Sequence, residues 1–282
     1  MSIQLKVGGK DIILEYYFGW SEPGRSPELN FEDESDLPIQ ILKICEFLQD
    51  IARTHKTFSA SLLQEHTGYS PSAWRQVRPI MMKMGILNCR ISENKKISSD
   101  NPVSEIGNTF NLLTKKRRAN KENYHQLKEV HQMVWADMLM FYQTDNPEGL
   151  YPVRAILRAV ERNGYLDRTE WDIMTTFIER NDDSFQEQIV DTFINHYRQE
   201  PELFTGIQRI PGVKKGPKSA RQSVQNNRNT YWNNLRQAGL IKIEKKEIDG
   251  ELSDVIVIDY RFEDIVNAIL SNDFFEAISK GD

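Results

Sequence analysis

Arg75, Gln76 and Arg78 follow Ser70-Pro71-Ser72 in a segment whose apolar residues Ala73, Val77, Ile80, Met81 and Met84 recur at helical spacing. At about 100° per residue these apolar positions share one face. Ser72, Arg75 and Pro79 fall opposite, with Gln76 and Arg78 on the flanks. Arginine can fork onto O6 and N7 of guanine, glutamine suits adenine, and serine hydroxyls suit phosphates or base edges. The spacing therefore assigns Ser72, Arg75, Gln76 and Arg78 to base reading and Ser70 to a phosphate contact. Trp74 lies on the flank and is read as core, and Pro79 should bend the helix. A solvated helix face with ordinary arginines is the plain alternative.

A second amide-rich face lies in the segment 219–237. Val224, Tyr231, Leu235 and Ala238 form its apolar side, while Gln225, Asn226 and Asn229 point away. Such a face is poor for helix propensity and good for contacts to base edges, so these three join the base-reading set. Lys214, Lys215, Lys218 and Arg221 lead into the helix start and are read as clamps on the phosphate backbone. Lys95 and Lys96 at a polar tip, and the run Lys115-Lys116-Arg117-Arg118 with Lys121, are read the same way. Arg25, in an acidic arm, is a candidate for minor-groove insertion.

Hydrolytic chemistry has little support. A metal nuclease needs acidic residues and a lysine placed to hold a divalent ion and its attacking water. Glu244-Lys245-Lys246 has part of that pattern, but its nearest upstream acid, Glu202, lies across a basic loop and a helix. Glu93-Asn94-Lys95 sits at a wing, and both are read as surface charge on a wing. The five histidines and two cysteines lack metal-ligand spacing, and no phosphate-cradling glycine loop is present. No catalytic residue, metal ligand or cofactor is assigned.

The charge pattern supports a polyanionic partner. The net charge is −5, but it is unevenly spread. Residues 66–121 hold eleven Lys/Arg against three Asp/Glu, and residues 205–246 hold ten against one. Residues 145–204 are acidic, with thirteen acids against six bases. Two basic islands in an acidic background point to double-stranded DNA, held by one face of each island. No apolar run approaches the ~20 residues that span a bilayer, and no secretory signal is visible. Cys45 and Cys89 read as buried thiols, which implies a reducing, cytoplasmic setting.

These residues need elements to hold them. Residues 3–7 and 11–18 around Gly8-Gly9 read as a hairpin, and 19–36 as an acidic arm. Helices at 37–51, 59–66 and 71–84 precede Gly85, a strand at 86–91, a polar tip and a second strand at 106–113. Helices at 152–163, 168–180, 184–199 and 219–237 precede strands at 240–243 and 255–258 around Asp249-Gly250. Both series end as helix, glycine, two aliphatics and strand. The expected fold is mainly α with small β-wings: two winged-helix domains joined by a helical linker. The expected divisions are 1–36 hairpin and arm, 37–114 first winged helix, 115–149 basic helical linker and 150–282 second winged helix. The linker helix, 122–143, is read with Leu127, Val130, Val134, Met138 and Phe141 inside.

In this order of elements the chain resembles the DNA-recognition part of Type IIS restriction endonucleases. The most specific stretch is Leu150-Tyr151-Pro152-Val153-Arg154-Ala155-Ile156-Leu157, with Gly164-Tyr165-Leu166 and Glu170. The resemblance implies binding of a short asymmetric duplex site by a monomer. It also implies cleavage by a separate nuclease domain, to which a divalent metal such as magnesium would belong. The chain ends at Asp282 without that domain, which the resemblance reads as a fragment. It carries over no base-contacting residue. A plasmid replication initiator or transcription regulator, and a winged-helix module that binds other proteins, are the alternatives.

Overall fold

The computed structural model describes residues 2–25, 33–119, 124–209, 217–248 and 250–276, with side chains from 127 onward in the helix that begins at 124 and from 227 onward in the one that begins at 217. The chain is mainly helical, with three sheets of two strands each among the described residues. It divides into two units. The helical unit comprises Pro23–Tyr142 with Gln237–Gly239, and the hairpin unit comprises the remainder.

The chain opens with an antiparallel hairpin, β1 (Ile3–Val7) and β2 (Lys10–Leu14), turning at Gly8 and Gly9, both at positive φ. The alternation of buried Ile3, Val7 and Leu14 with exposed neighbours is that of a sheet with one covered face. A short β3 (Tyr16–Tyr17) follows.

In the helical unit, α1 (Leu37–Arg53) starts with Pro38 in its first turn and buries Ile41, Ile44, Cys45, Leu48 and Ile51, the face its periodicity predicts. Ser59 caps α2 (Ala60–Thr67), and Gly68 ends it in the left-handed conformation. Ser70 caps α3 (Pro71–Lys83) by accepting the Ala73 N–H at 3.2 Å, with Pro71 in its first turn.

After α3 the expectation and the structure diverge. No strand forms over 86–91; the segment 86–103 is held by isolated bridges, Leu87 to Val103 and Thr57 to Lys96. Pro102 has no N–H to give a ladder, and the Asn88 side-chain amide bonds the carbonyls of Asn101 and Val103. The second expected strand, 106–113, is part of a helix, α4 (Glu105–Ala119). Gly107, Phe110, Leu113, Thr114 and Arg117 are buried at a period near 3.6, and Ser104 Oγ accepts the Gly107 N–H at 3.0 Å.

The next helix, α5 (Tyr124–Met140), packs on α4 inside the helical unit rather than standing apart as a linker. Phe110 meets His131 at 4.4 Å and Trp135 at 5.7 Å between ring centroids. Its buried side is His131, Gln132, Trp135, Ala136, Met138 and Leu139. Val130 and Phe141, expected inside, are exposed, so the helix is rotated from the expected face.

In the hairpin unit, α6 (Pro152–Asn163) buries Val153, Ile156, Leu157 and Val160 as its spacing predicts, and Gly164 ends it. A capping box between Asp167 and Glu170 starts α7 (Arg168–Phe177). Asp183 caps α8 (Ser184–Gln199), a 3₁₀ turn follows at Pro201–Phe204, and β4 (Gln208–Arg209) pairs in parallel with β3. A long α9 (Pro217–Gln237) leads into β5 (Ile241–Ile248) and β6 (Glu251–Ile258), an antiparallel hairpin. A bridge from Leu166 to Ile256 adds a third chain segment beside that hairpin. A final helix, α10 (Glu263–Leu270), which the sequence reading did not include, closes over α6. Trp20, Trp171, Tyr231 and Trp232 meet in the core of this unit, with Trp20 Nε1 donating to the Ile178 carbonyl at 2.9 Å.

Candidate nucleic-acid interface

The α3 helix divides cleanly. Trp74, Val77, Ile80 and Met81 are buried, while Ser72, Arg75, Gln76 and Arg78 are exposed. Trp74 belongs to the core, 5.2 Å from the Phe58 ring centroid. The Arg78 guanidinium lies 6.0 Å from the Trp74 ring, which limits how freely it swings. Arg75 and Gln76 form no ion pair or side-chain hydrogen bond among the described residues. Pro79 sits within the helix, so the Arg75 carbonyl lacks the N–H that would be its partner four residues on.

Two loops stand near this helix. Gly24 lies so close to Ile80 of α3 that an added Cβ would fall 2.5 Å from its Cγ1. Exposed Arg25 therefore begins its course beside α3. Lys95 and Lys96 are exposed on the loop 92–99, which is fastened by Phe58 N–H to the Lys95 carbonyl at 3.0 Å and by Asn94 N–H to the Phe58 carbonyl at 2.9 Å.

The run 115–118 does not form one basic patch. Arg117 is buried, with Nη1 3.2 Å from Nδ1 of His131, so it cannot serve as a surface phosphate contact. Helical periodicity explains this, since Arg117 follows Phe110, Leu113 and Thr114 on the inner face of α4. Burial, aided by the Arg117 charge, pushes His131 down to about 3. Lys115 pairs with Glu46 at 2.7 Å, and Arg118 pairs with Glu34, which also binds Lys43 at 2.8 Å. The two cations hold the Glu34 carboxyl below its ordinary value. Lys116 remains exposed, with no ion pair among the described residues.

In the hairpin unit, Asn229 is exposed on α9 while Tyr231 and Leu235 are buried. Ala238, just past the end of that helix, is buried as expected. Lys121, Lys214 and Lys215 lie outside the described residues, as do the side chains of Lys218, Arg221, Gln225 and Asn226. Two further bases of this island, Arg209 and Arg228, are internal partners of buried Asp172.

The sequence reading leaves the cations of β5 and its neighbours out of the contact set, taking Lys245 and Lys246 as surface charge on a wing. Arg168 and Lys245 converge on Asp254 at 3.0 and 2.6 Å, and together they lower its carboxyl pKa. Lys246 lies 3.6 Å from the Tyr165 ring centroid. The available signal was the Lys-Lys pair ahead of Asp-Gly, which places two of the cations on a hairpin strand. Surface pairs of this kind are worth little by themselves and exchange readily for phosphate.

Among the described residues no three His, Cys, Asp or Glu side chains gather so as to hold a metal ion. Among them, too, no helix is long and apolar enough to cross a membrane. No protein-family model matches the chain, and no curated protein is significantly similar to it.

Proposed function

We propose that this chain binds double-stranded DNA sequence-specifically and serves as the target-recognition part of a restriction endonuclease, with cleavage carried out by a separate domain. One observation carries the reading: α3 turns Ser72, Arg75, Gln76 and Arg78 to solvent from a helix anchored by Trp74, Val77, Ile80 and Met81. A helix of that kind fits a major groove, and its donors match guanine and adenine edges. A short capped α2 before it and a fastened basic loop after it support this reading. The β5–β6 hairpin and α9 have the same places in the other unit, and grip the backbone there.

The site is short and asymmetric, and the chain binds it as a monomer. Selection of bound duplexes from a random pool tests this directly. Recovery of one non-palindromic consensus, bound at one chain per duplex in sedimentation, is the expected result. A palindromic consensus bound by two chains would instead make the chain a regulator, and recovery of no consensus would remove the base-reading role.

A further inference from the structure

The hairpin unit contains a cavity of about 680 Å³ between the N-terminal strand β3, the start of α7 and the turn after α8. Its size falls in the range of small-ligand sites. Half-buried Tyr197 gives it an aromatic face, backed edge to face by buried Phe204 with centroids 5.3 Å apart at 76°, while buried Tyr17 lies behind the Arg209 guanidinium. The corner is rigid, because the Tyr197 hydroxyl donates to Asp167 at 2.8 Å and thereby joins the capping box of α7. Polar groups sit at the rim. Gln199 and Glu202 are exposed there, and neither side chain has a hydrogen-bond or ion-pair partner among the described residues. Arg209 engages Asp172 through Nε at 2.6 Å and Nη2 at 2.5 Å, which leaves other guanidinium donors to spare.

We infer that this cavity is a nucleobase site, with the base against the Tyr197 ring and its hydrogen-bonding edge read by Glu202 and Gln199. Stacking on aromatic rings accepts any base. The carboxylate selects among them, because guanine presents N1–H and the exocyclic amine side by side to the two oxygens of Glu202. Arg209 would meet the attached phosphate. The base can come from a free nucleotide or from DNA as an unpaired base; the second source rests on the DNA-binding function proposed above.

Saturation-transfer NMR on the full chain tests the inference with guanosine monophosphate, the other three monophosphates and inorganic phosphate. Saturable binding of guanosine monophosphate is expected, with transfer strongest at the base proton. Glu202→Gln, at an exposed position, should weaken it about tenfold. A single-stranded thymidine octamer carrying one guanine displaces the nucleotide if DNA is the source and fails to do so if a free nucleotide is. Absence of saturable binding for all four monophosphates overturns the inference, as does equal competition by inorganic phosphate or indifference to both Glu202→Gln and Gln199→Ala. Duplex binding is measured beside it. Duplex affinity without nucleotide binding sinks the pocket alone, whereas nucleotide binding without duplex affinity sinks only the DNA-binding reading.

Discussion

The Arg117 guanidinium and the His131 imidazole face each other at 3.2 Å in the core between α4 and α5, both buried. His131 is held neutral there, its pKa down at about 3 from an ordinary 6.5. In the window between those values the unfolded chain binds a proton that the native chain refuses. Stability present above pH 6.5 is therefore lost as pH falls toward 3, at up to about 1.4 kcal/mol per pH unit for one proton. Urea unfolding of His131→Gln should lose about one proton of that pH dependence. An unchanged slope would remove His131 from the account.

Arg117 and Lys116 are sequence neighbours with different expected behaviour. If duplex binding engages about six phosphates, the log–log salt slope is near −5. Lys116→Ala, Lys95→Ala and Lys96→Ala should each flatten it by about 1 and weaken all sequences alike. Arg117→Ala should instead lower the melting temperature by several degrees, since it breaks a buried polar contact. Anisotropy titrations at four salt concentrations, with thermal melts alongside, make the comparison.

Arg75→Ala should discriminate between sequences. Its guanidinium is exposed and is expected on a base edge, so the change should remove about 1–3 kcal/mol of preference for the selected site while random duplex binding stays within about twofold. Competition with cognate and scrambled duplexes reads this out. Equal weakening of both would mean that Arg75 touches phosphate and that another residue reads the base.

Glu170 gives the opposite sign of pH dependence in the hairpin unit. Burial raises its carboxyl to about 7, even though Arg198 bonds it at 2.5 Å and the Asp167 N–H at 2.8 Å. The native state thus holds a proton that the unfolded state releases from about pH 4.5 upward. The stability contributed is full below the unfolded value and is lost as pH rises through 7. Glu170→Gln keeps an acceptor for the cap and cannot titrate, so it should flatten the stability profile between pH 4.5 and 7. A variant with the unmodified slope would contradict the assignment.

Arg154, Arg158 and Arg162 form a ladder along α6 opposite Asp182, Glu187 and Asp191. Arg154 is buried and also donates to the carbonyls of Ile269 and Ser271 at the C-terminal end of α10. Its loss takes the donors from two carbonyls and leaves Asp182 only the Arg158 guanidinium at 3.7 Å. Arg154→Ala should destabilise by about 3–5 kcal/mol, against under 1 kcal/mol for half-exposed Arg162→Ala. Denaturant midpoints would distinguish them.

The elements with complete signals were legible in the sequence. The Ser70-Pro71 cap, the inner face of α1, the Asp183 start of α8 and the glycine stops at 85, 164 and 239 all carry local rules of type and spacing. Residues 106–113 misled because a short apolar run fits a strand or a buried helix equally, and only tertiary packing on α5 decides. The face of α5 was misjudged because His131 and Gln132 are buried polar residues that hydropathy sends outward. Among the site residues, the exposed set on α3 followed from periodicity. Arg117 did not, because a run of four cations hides which one faces inward.

The parallel pairing of Tyr16 and Tyr17 with Gln208 and Arg209 affects how the polypeptide is made. Strand β3 has no mate until about 190 further residues have followed it, a wait on the order of ten to forty seconds at ~5–20 residues per second. Residues 37–119 can meanwhile condense around their own core, as an insertion within a unit whose two ends close last. Separating the halves at the boundary that the sequence suggests, before residue 150, would strand the opening hairpin and Trp20 on the wrong fragment. An expression clone of the later half should therefore carry residues 2–22 grafted ahead of it.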